Sequence, residues 1–303
     1  MDELFQHQQD DVFVTLIQWA EQREAIRAML LTSTRAVQNS SVDLFSDYDV
    51  ILIVEDIRPF YEDRRWLADF GEVLVVYWDP IHPEPEHGDE VTANVTQYAD
   101  GLKIDFTLWP VELFQKIVQA PFLQAELDAG YRVLLDKDHL TDGMKPPTYK
   151  AYIPIPPTND VYQLLINDFF TDAPYVAKCL LREELLPAKW CLDYDMKHVH
   201  LRPMLEWRVG VESNWSVPTG SLGKGLKKLL PPEIWSELED TYAGANTLEN
   251  WEALFRTMAL FRRVAMDVGA GLGYTYPMEL DQRVTAFVEK MQMHGNPTSD
   301  RFR

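Results

Sequence analysis

Two aspartates lie two residues apart in the segment SDYDVILIV, at the entry to an apolar run that predicts a strand. Because successive side chains of a strand point to opposite faces, Asp47 and Asp49 should project from the same face of a sheet. Two carboxylates this close repel each other, and a divalent cation bound between them removes that cost. Oxygen ligands without nearby His or Cys favour magnesium or manganese over zinc. The same spacing is also typical of solvated turns.

A third carboxylate, Asp105, lies in a later segment, LKIDFTLW, in which apolar and polar residues alternate. The alternation predicts a strand with one apolar face, and Asp105 lies on the polar face. There it could complete a three-carboxylate magnesium site with Asp47 and Asp49. The alternative is simple solvent exposure on one side of an antiparallel sheet.

A turn rich in hydroxyl groups, LTSTR, follows the first predicted strand. Backbone N–H groups and the hydroxyls of Ser33 and Thr34 could hold phosphate oxygens, and Arg35 could neutralise their charge. The alternative is a polar cap on the next element. The order along the chain is a hydroxyl-rich turn, then Asp-x-Asp on the next strand, then a single Asp on a later strand. This order matches the plan of polymerase-β-like nucleotidyltransferases.

Periodicity predicts an N-terminal mixed β-sheet flanked by helices, with an amphipathic helix at residues 11–23 and a short helix at 59–71. The predicted strands are residues 26–31, 48–56, 72–78 and 102–109, and one near residue 131. Five prolines in residues 143–158 place a domain boundary there, which divides the chain into domains 1–150 and 151–303. The second domain has only helical patterns. The predicted fold class is therefore α+β, with a C-terminal all-α helical bundle.

The composition limits the possible partners. Formal net charge is −20, from 48 acidic and 28 basic residues, whereas proteins that bind nucleic acid usually carry a basic face. A negative field attracts cations, although it also simply favours solubility. No apolar run approaches the roughly 20 residues of a membrane-spanning helix, and the first residues are acidic, unlike a signal peptide. We therefore expect a cytoplasmic protein that binds neither nucleic acid nor a membrane.

Several separate patches of the sequence resemble one family. They include TSTR, DLFSDYDVILIVED and WLADFGE in the first half, and YVAKCLLREELLPAKWCLD, LRPMLEWRVG, GSLGKGLKKLL and YTYPMELDQRVTAFV in the second. Together they are similar, in order and spacing, to the aminoglycoside 6-adenylyltransferases, also called streptomycin adenylyltransferases. The similarity covers nearly the whole chain.

The resemblance implies a magnesium-dependent enzyme that transfers AMP from ATP to a hydroxyl of a small cationic aminoglycoside and releases pyrophosphate. It implies that Asp47, Asp49 and Asp105 are catalytic and hold Mg²⁺, and that the turn at Ser33 and Thr34 meets the triphosphate. The family's turn usually reads Gly-Ser, whereas this chain has Ser33-Thr34. Because glycine allows close backbone approach, the fit of the phosphates should be altered.

Three basic residues of the second domain are further candidates for triphosphate binding. Lys178, Arg182 and Lys189 are separated by four and seven residues, a spacing that predicts one stripe of a helix. The alternative is a solvated face on which Glu183 and Glu184 are their partners.

Carboxylates should bind the acceptor, because streptomycin carries guanidinium groups that pair with Asp or Glu in bidentate fashion. Asp193, Asp195 and Glu206 are candidates that the sequence does not rank. Two other functions are considered: a non-catalytic nucleotide-binding relative, favoured by the altered turn, and the same chemistry with a different small cationic acceptor. Transfer to an RNA end is disfavoured by the acidic charge.

Overall fold

A computed structural model of the chain describes residues 2–37, 42–43 and 45–295, and describes their side chains from residue 11 to residue 294. The chain forms two compact units, Met1–Ala151 and Tyr152–Arg303. Within the described residues, no helix is both long enough and apolar enough to cross a membrane.

The N-terminal unit is built on a mixed β-sheet. Its strands are β1 (Ile26–Thr32), β2 (Tyr48–Val54), β3 (Val73–Trp78), β4 (His82–Pro83), β5 (Glu90–Tyr98), β6 (Lys103–Pro110) and β7 (Tyr131–Asp136). Their order is β3-β5-β6-β2-β1-β7, with the short β4 paired to β5. The β2–β6 pair is parallel and the other pairs are antiparallel. The predicted mixed sheet is confirmed.

Helices cover both faces of this sheet. The helical segments are α1 (Asp2–Glu21), α2 (Arg58–Glu62), α3 (Val111–Gln119) and α4 (Ala125–Asp128), with 3₁₀ turns at Ser33–Arg35 and Arg64–Phe70. On one face, Trp19 of α1 packs near Phe106 of β6, and on the other, Leu113 of α3 packs with Ile51 of β2. The central strand β2 is therefore buried on both faces, which explains its continuous apolar run.

Two parts of this unit differ from the prediction. Strand β5 was not predicted, because its inward positions are polar: Thr92, Asn94 and Thr96 are all buried. A strand with polar side chains on its buried face lacks the hydrophobic alternation that identifies strands. The single helix predicted at residues 59–71 is two short segments, because Asp63 between them has an extended backbone with φ −122° and ψ 101°.

The C-terminal unit is all-helical within its described residues, as predicted. Its segments are α5 (Asn159–Leu181), α6 (Leu185–Lys189), a π-helical segment (Trp190–Leu201), α7 (Arg202–Glu212), a 3₁₀ turn (Ser221–Gly223), α8 (Leu226–Leu229), α9 (Pro232–Glu239), α10 (Thr247–Leu272) and α11 (Met278–Gly295). Its core includes Phe169 of α5 stacked on Phe261 of α10, with 3.7 Å between ring centroids. This stacking joins the two longest helices of the unit.

The basic residues predicted to share one helical stripe do not do so. Helix α5 ends at Leu181, Arg182 caps it, and Glu183 follows with a left-handed backbone at φ 58°. Lys189 belongs to the next helix, α6. The assumption of one continuous helix was therefore wrong, because the chain turns between Lys178 and Lys189.

Candidate active site

Three neighbouring strands bring a hydroxyl and two carboxylates into one row. Asp49 of β2 lies directly opposite Asp105 of β6 in the parallel register, and Thr32 of β1 lies directly opposite Asp49. Paired residues project to the same face of a sheet, so the three side chains are neighbours. Asp47, two residues before Asp49, projects to that face as well. The structure thus brings the three predicted aspartates together.

Lys103 joins two of these carboxylates. Its side chain leaves β6 two residues before Asp105, and its Nζ donates to Asp47 Oδ2 at 2.5 Å and to Asp105 Oδ2 at 2.9 Å. The other carboxylate oxygen of Asp105, Oδ1, is buried and has no hydrogen-bond partner. Sequence reasoning placed Lys103 on the polar face of this strand but gave it no role.

The hydroxyl-rich turn lies at the end of β1, beside this row. Residues Ser33–Arg35 form a single 3₁₀ turn, and Ser33 has a left-handed backbone with φ 61°. The side chain of Ser33 lies near enough to Asp49 to lower the pKa of its carboxyl group. Ser33 and Thr34 are exposed residues at the edge of the carboxylate row.

Arg35 is already engaged by the backbone that leads into β2. Its Nε donates to the carbonyls of Ser46 (3.2 Å) and Asp47 (3.0 Å), and its Nη2 donates to Ser46 at 2.7 Å. Its guanidinium also lies over the ring of Tyr48, 3.9 Å from the centroid. In this arrangement Arg35 fixes the backbone that carries Asp47. Whether it also contacts phosphate remains a prediction.

Two carboxyl groups of the row, those of Asp49 and Asp105, have raised pKa values. Burial raises the pKa of Asp49, and the charge of Asp105 raises it further, while the side chain of Ser33 lowers it. Burial also raises the pKa of Asp105, although the hydrogen bonds from Lys103 oppose this. Because two negative charges held close together in a partly buried site repel each other, they increase the affinity of that site for a cation.

Glu126, on the short helix α4, is a site residue that sequence reasoning missed. The residue as a whole is exposed, but its carboxylate points inward, and Oε1 accepts a hydrogen bond from Thr32 Oγ1 at 3.4 Å. Burial of that carboxylate raises the pKa of Glu126, and the charge of Asp49 adds to the shift. A four-residue helix has no periodicity from which this placement could be predicted.

The basic candidates of the C-terminal unit differ in their surroundings. Lys178 and Arg182 are exposed, and Arg182 lies 4.0 Å from Glu184. Lys189 is held in place: its Nζ lies 2.7 Å from Asp193 and donates to the carbonyl of Ala243 at 2.7 Å. A role of these three residues in nucleotide binding remains a prediction.

The structure separates the three acceptor candidates by their partners. Asp193 forms ion pairs with Lys189 and, at 2.6 Å, with Lys197. Glu206 is paired with Arg202 at 2.8 Å.

Asp195, by contrast, has no Lys or Arg ion-pair partner within the described part of the chain. Burial raises its pKa, and the charge of Asp172 adds to that effect. Binding of the acceptor by any of these three carboxylates remains a prediction.

The donor chemistry of the carboxylate row fits magnesium, since it is made of oxygen atoms alone and includes the unpartnered Oδ1 of Asp105. As the side chains stand, however, no group of three or more His, Cys, Asp or Glu residues within the described ranges converges as a metal site. The ammonium of Lys103 pairs with both Asp47 and Asp105. Mg²⁺ binding remains a prediction.

Comparison with known proteins identifies the family. The family model described as streptomycin adenylyltransferase matches residues 7–291. The chain belongs to this family. It is similar to the aminoglycoside 6-adenylyltransferases of Bacillus subtilis strain 168 (31% identity, 92% of this chain and 95% of that protein) and Campylobacter jejuni (29% identity, 92% and 93%). A solved structure titled an aminoglycoside 6-adenyltransferase from Bacillus subtilis is 27% identical and covers 93% of this chain and 96% of its own, with a TM-score of 0.42.

Proposed function

We propose that this adenylyltransferase-family protein transfers AMP from ATP to a hydroxyl of a streptomycin-type aminoglycoside, with Mg²⁺ as cofactor, and releases pyrophosphate. One observation carries the proposal: Asp49 and Asp105 lie opposite each other in the β2–β6 register, with Asp47 on the same face. That row of carboxylates is suited to a cation-assisted transfer of a nucleotidyl group.

The proposal gives separate tasks to the carboxylate row and to the turn beside it. Magnesium held by Asp47, Asp49 and Asp105 would supply the positive charge that neutralises the triphosphate. Ser33 and Thr34 present the exposed turn to the phosphates, and Arg35 keeps Asp47 in place through its bonds to the Ser46 and Asp47 carbonyls.

Proton removal from the acceptor hydroxyl is assigned to Asp105. Burial raises the pKa of its carboxyl group, which makes the carboxylate a better base than an exposed aspartate. A carboxylate that holds the metal would also lie beside the attacking hydroxyl, where it could take the proton.

The acceptor should be a small polycation. Formal net charge is −20, and Asp195 lacks a Lys or Arg partner among the described residues. A guanidinium group of a streptomycin-type molecule would neutralise this carboxylate through two parallel hydrogen bonds. The names of the relatives, aminoglycoside 6-adenylyltransferases, support the same acceptor class.

The test measures pyrophosphate release from ATP with Mg²⁺ and a panel of aminoglycosides. We expect release that requires streptomycin and falls by more than about 100-fold in Asp49→Asn, as befits the loss of a cation ligand. The matched control is Asp142→Asn, which removes one exposed negative charge of the same unit outside the carboxylate row. Normal release in Asp49→Asn, or release without any acceptor, would contradict the proposed mechanism.

A second experiment tests whether Asp195 binds the acceptor. Asp195→Asn should raise the KM for streptomycin while the KM for ATP stays constant, because the lost interaction involves only the acceptor. ATP binding without release for any aminoglycoside would show that this chain is a nucleotide-binding relative or uses a different cationic acceptor.

A further inference from the structure

Lys103 supplies one positive charge to the carboxylate row and offsets part of its negative charge. The row and its neighbour Glu126 contain four carboxyl groups: Asp47, Asp49, Asp105 and Glu126. Lys103 bonds two of them, at 2.5 Å and 2.9 Å, through a single ammonium group. Hydrogen bonds of this length to charged groups are about twice as strong as neutral ones.

No second cation takes this position in the described part of the chain. The other basic side chain nearby, Arg35, directs Nε and Nη2 to backbone carbonyls and stacks on Tyr48. Lys103 is itself only partly buried, with 28% of its side chain exposed, so its ammonium has room to leave. A long, flexible lysine can change rotamer without disturbing β6.

We propose that Lys103 is a displaceable counter-ion: its single ammonium pairs with both Asp47 and Asp105 when no metal is bound and gives way when a divalent cation binds. The inference rests on the proposed function, since it concerns the same carboxylates. Two cations cannot occupy the space between these two carboxylates together, because they would repel each other at close range. Lys103 therefore lowers the affinity of the free enzyme for its metal.

The experiment measures Mn²⁺ binding to the full-length, nucleotide-free protein by calorimetric titration. Lys103→Met removes the competing ammonium but keeps the length of the side chain, and should bind Mn²⁺ about tenfold more tightly than wild type. Lys103→Arg, which keeps the positive charge, should stay near wild type. Lys116→Met is the matched control, because Lys116 is another lysine of this unit paired with an aspartate, Asp89, at 2.7 Å.

A second readout separates competition from misfolding. In EDTA, Lys103→Met should melt at a lower temperature than wild type, because Asp47 and Asp105 then repel each other without compensation. Saturating Mn²⁺ should raise its Tm by more than it raises the wild-type Tm, because ligand stabilisation grows with affinity.

Asp105→Asn distinguishes failure of this inference from failure of the proposed function. Equal Mn²⁺ affinity in wild type and Lys103→Met, lost in Asp105→Asn, would overturn the role of Lys103 and leave the metal site in place. Mn²⁺ binding that is unaffected by Asp105→Asn would overturn both, since the cation would then bind elsewhere.

Discussion

The side chain of Ser33 lowers the pKa of the Asp49 carboxyl group, while the backbone of Ser33 has a left-handed conformation with φ 61°. Glycine adopts this conformation without penalty, whereas other residues meet a steric cost of roughly 1–2 kcal/mol. In this turn, therefore, a residue other than glycine has the backbone conformation that glycine adopts most readily.

Paired substitutions at Ser33 isolate the backbone cost. Ser33→Gly and Ser33→Ala both lack the hydroxyl and differ only in Cβ. Because the backbone has φ 61°, the free energy of unfolding of Ser33→Gly should exceed that of Ser33→Ala by about 1 kcal/mol. Urea denaturation without nucleotide measures the difference.

Ser236 provides the control for this pair. It is an exposed residue inside helix α9, where glycine is less stable than alanine by roughly 1 kcal/mol. Ser236→Gly should therefore be the less stable member of its pair, the reverse of the order at Ser33. The same order at both positions would show that the turn does not require a left-handed residue.

Arg35 should stabilise the protein even without nucleotide. Arg35→Lys replaces a forked donor, bonded to the Ser46 and Asp47 carbonyls, by a single ammonium that cannot reproduce both contacts. We expect the free energy of unfolding to fall by about 1–2 kcal/mol. Thermal denaturation in the absence of ATP measures this loss.

The control for Arg35 is Arg65→Lys, because the side chain of Arg65 is 91% exposed and its substitution should change stability by less than roughly 0.5 kcal/mol. If Arg35→Lys left the stability unchanged and raised only the KM for ATP, the residue would act on phosphate alone, as the sequence suggests.

The sequence groups the three aspartates of the site but does not predict which residues contact them. Asp47, Asp49 and Asp105 could be grouped because each lies on a predicted strand with a known face. The direct Asp49–Asp105 pairing could not be predicted, because register between strands about 50 residues apart depends on the whole sheet. Lys103 and Glu126 could not be assigned to the site from the sequence, because each is placed there by contacts with residues that are distant in the chain.

Helix boundaries show a similar limit in the second unit. Pro174 suggests a break, yet α5 continues through it and ends at Leu181, where Glu183 takes a left-handed backbone. Glu183 is not a residue type that usually marks such a turn, so no local signal identifies it. Tertiary packing of α5, through Phe169 on Phe261, outweighs the cost of the internal proline.

Glu126 should destabilise the protein at neutral pH. Burial and the charge of Asp49 raise its pKa above the unfolded value, so the folded state favours the protonated form. The stabilisation that comes from the protonated form of Glu126 is complete below the pKa of Glu126 in the unfolded chain. It is lost as the pH rises through the pKa of Glu126 in the folded protein. Glu126→Gln, which cannot ionise and still accepts from Thr32, should be more stable than wild type at pH 7.

The advantage of Glu126→Gln should vanish as the pH approaches about 4, where wild-type Glu126 is protonated as well. Denaturation midpoints at both pH values, measured in EDTA to exclude metal ions, give the comparison. A Gln variant that is less stable than wild type at pH 7 would show that the charged form of Glu126 stabilises the site.

Asp281 is expected to have the opposite pH dependence. Its side chain is fully buried on α11, where Arg262 bonds it through Nε and Nη2, Tyr276 donates at 2.7 Å and Thr285 at 2.9 Å. Burial alone would raise the pKa of Asp281, but these bonds outweigh it and lower the pKa. Its contribution to stability is therefore present above the unfolded value of about 3.9 and is lost as pH falls through the folded pKa.

Asp281→Asn tests this contribution. At pH 7 the substitution leaves Arg262 without its counter-ion and should lower the free energy of unfolding by about 3 kcal/mol. As the pH falls below about 4, wild-type Asp281 loses its charge, so the difference between the two proteins should shrink. Urea denaturation between pH 7 and pH 3 measures both effects. A difference that stayed constant over this range would mean that the shape of the side chain, and not its charge, holds α10 and α11 together.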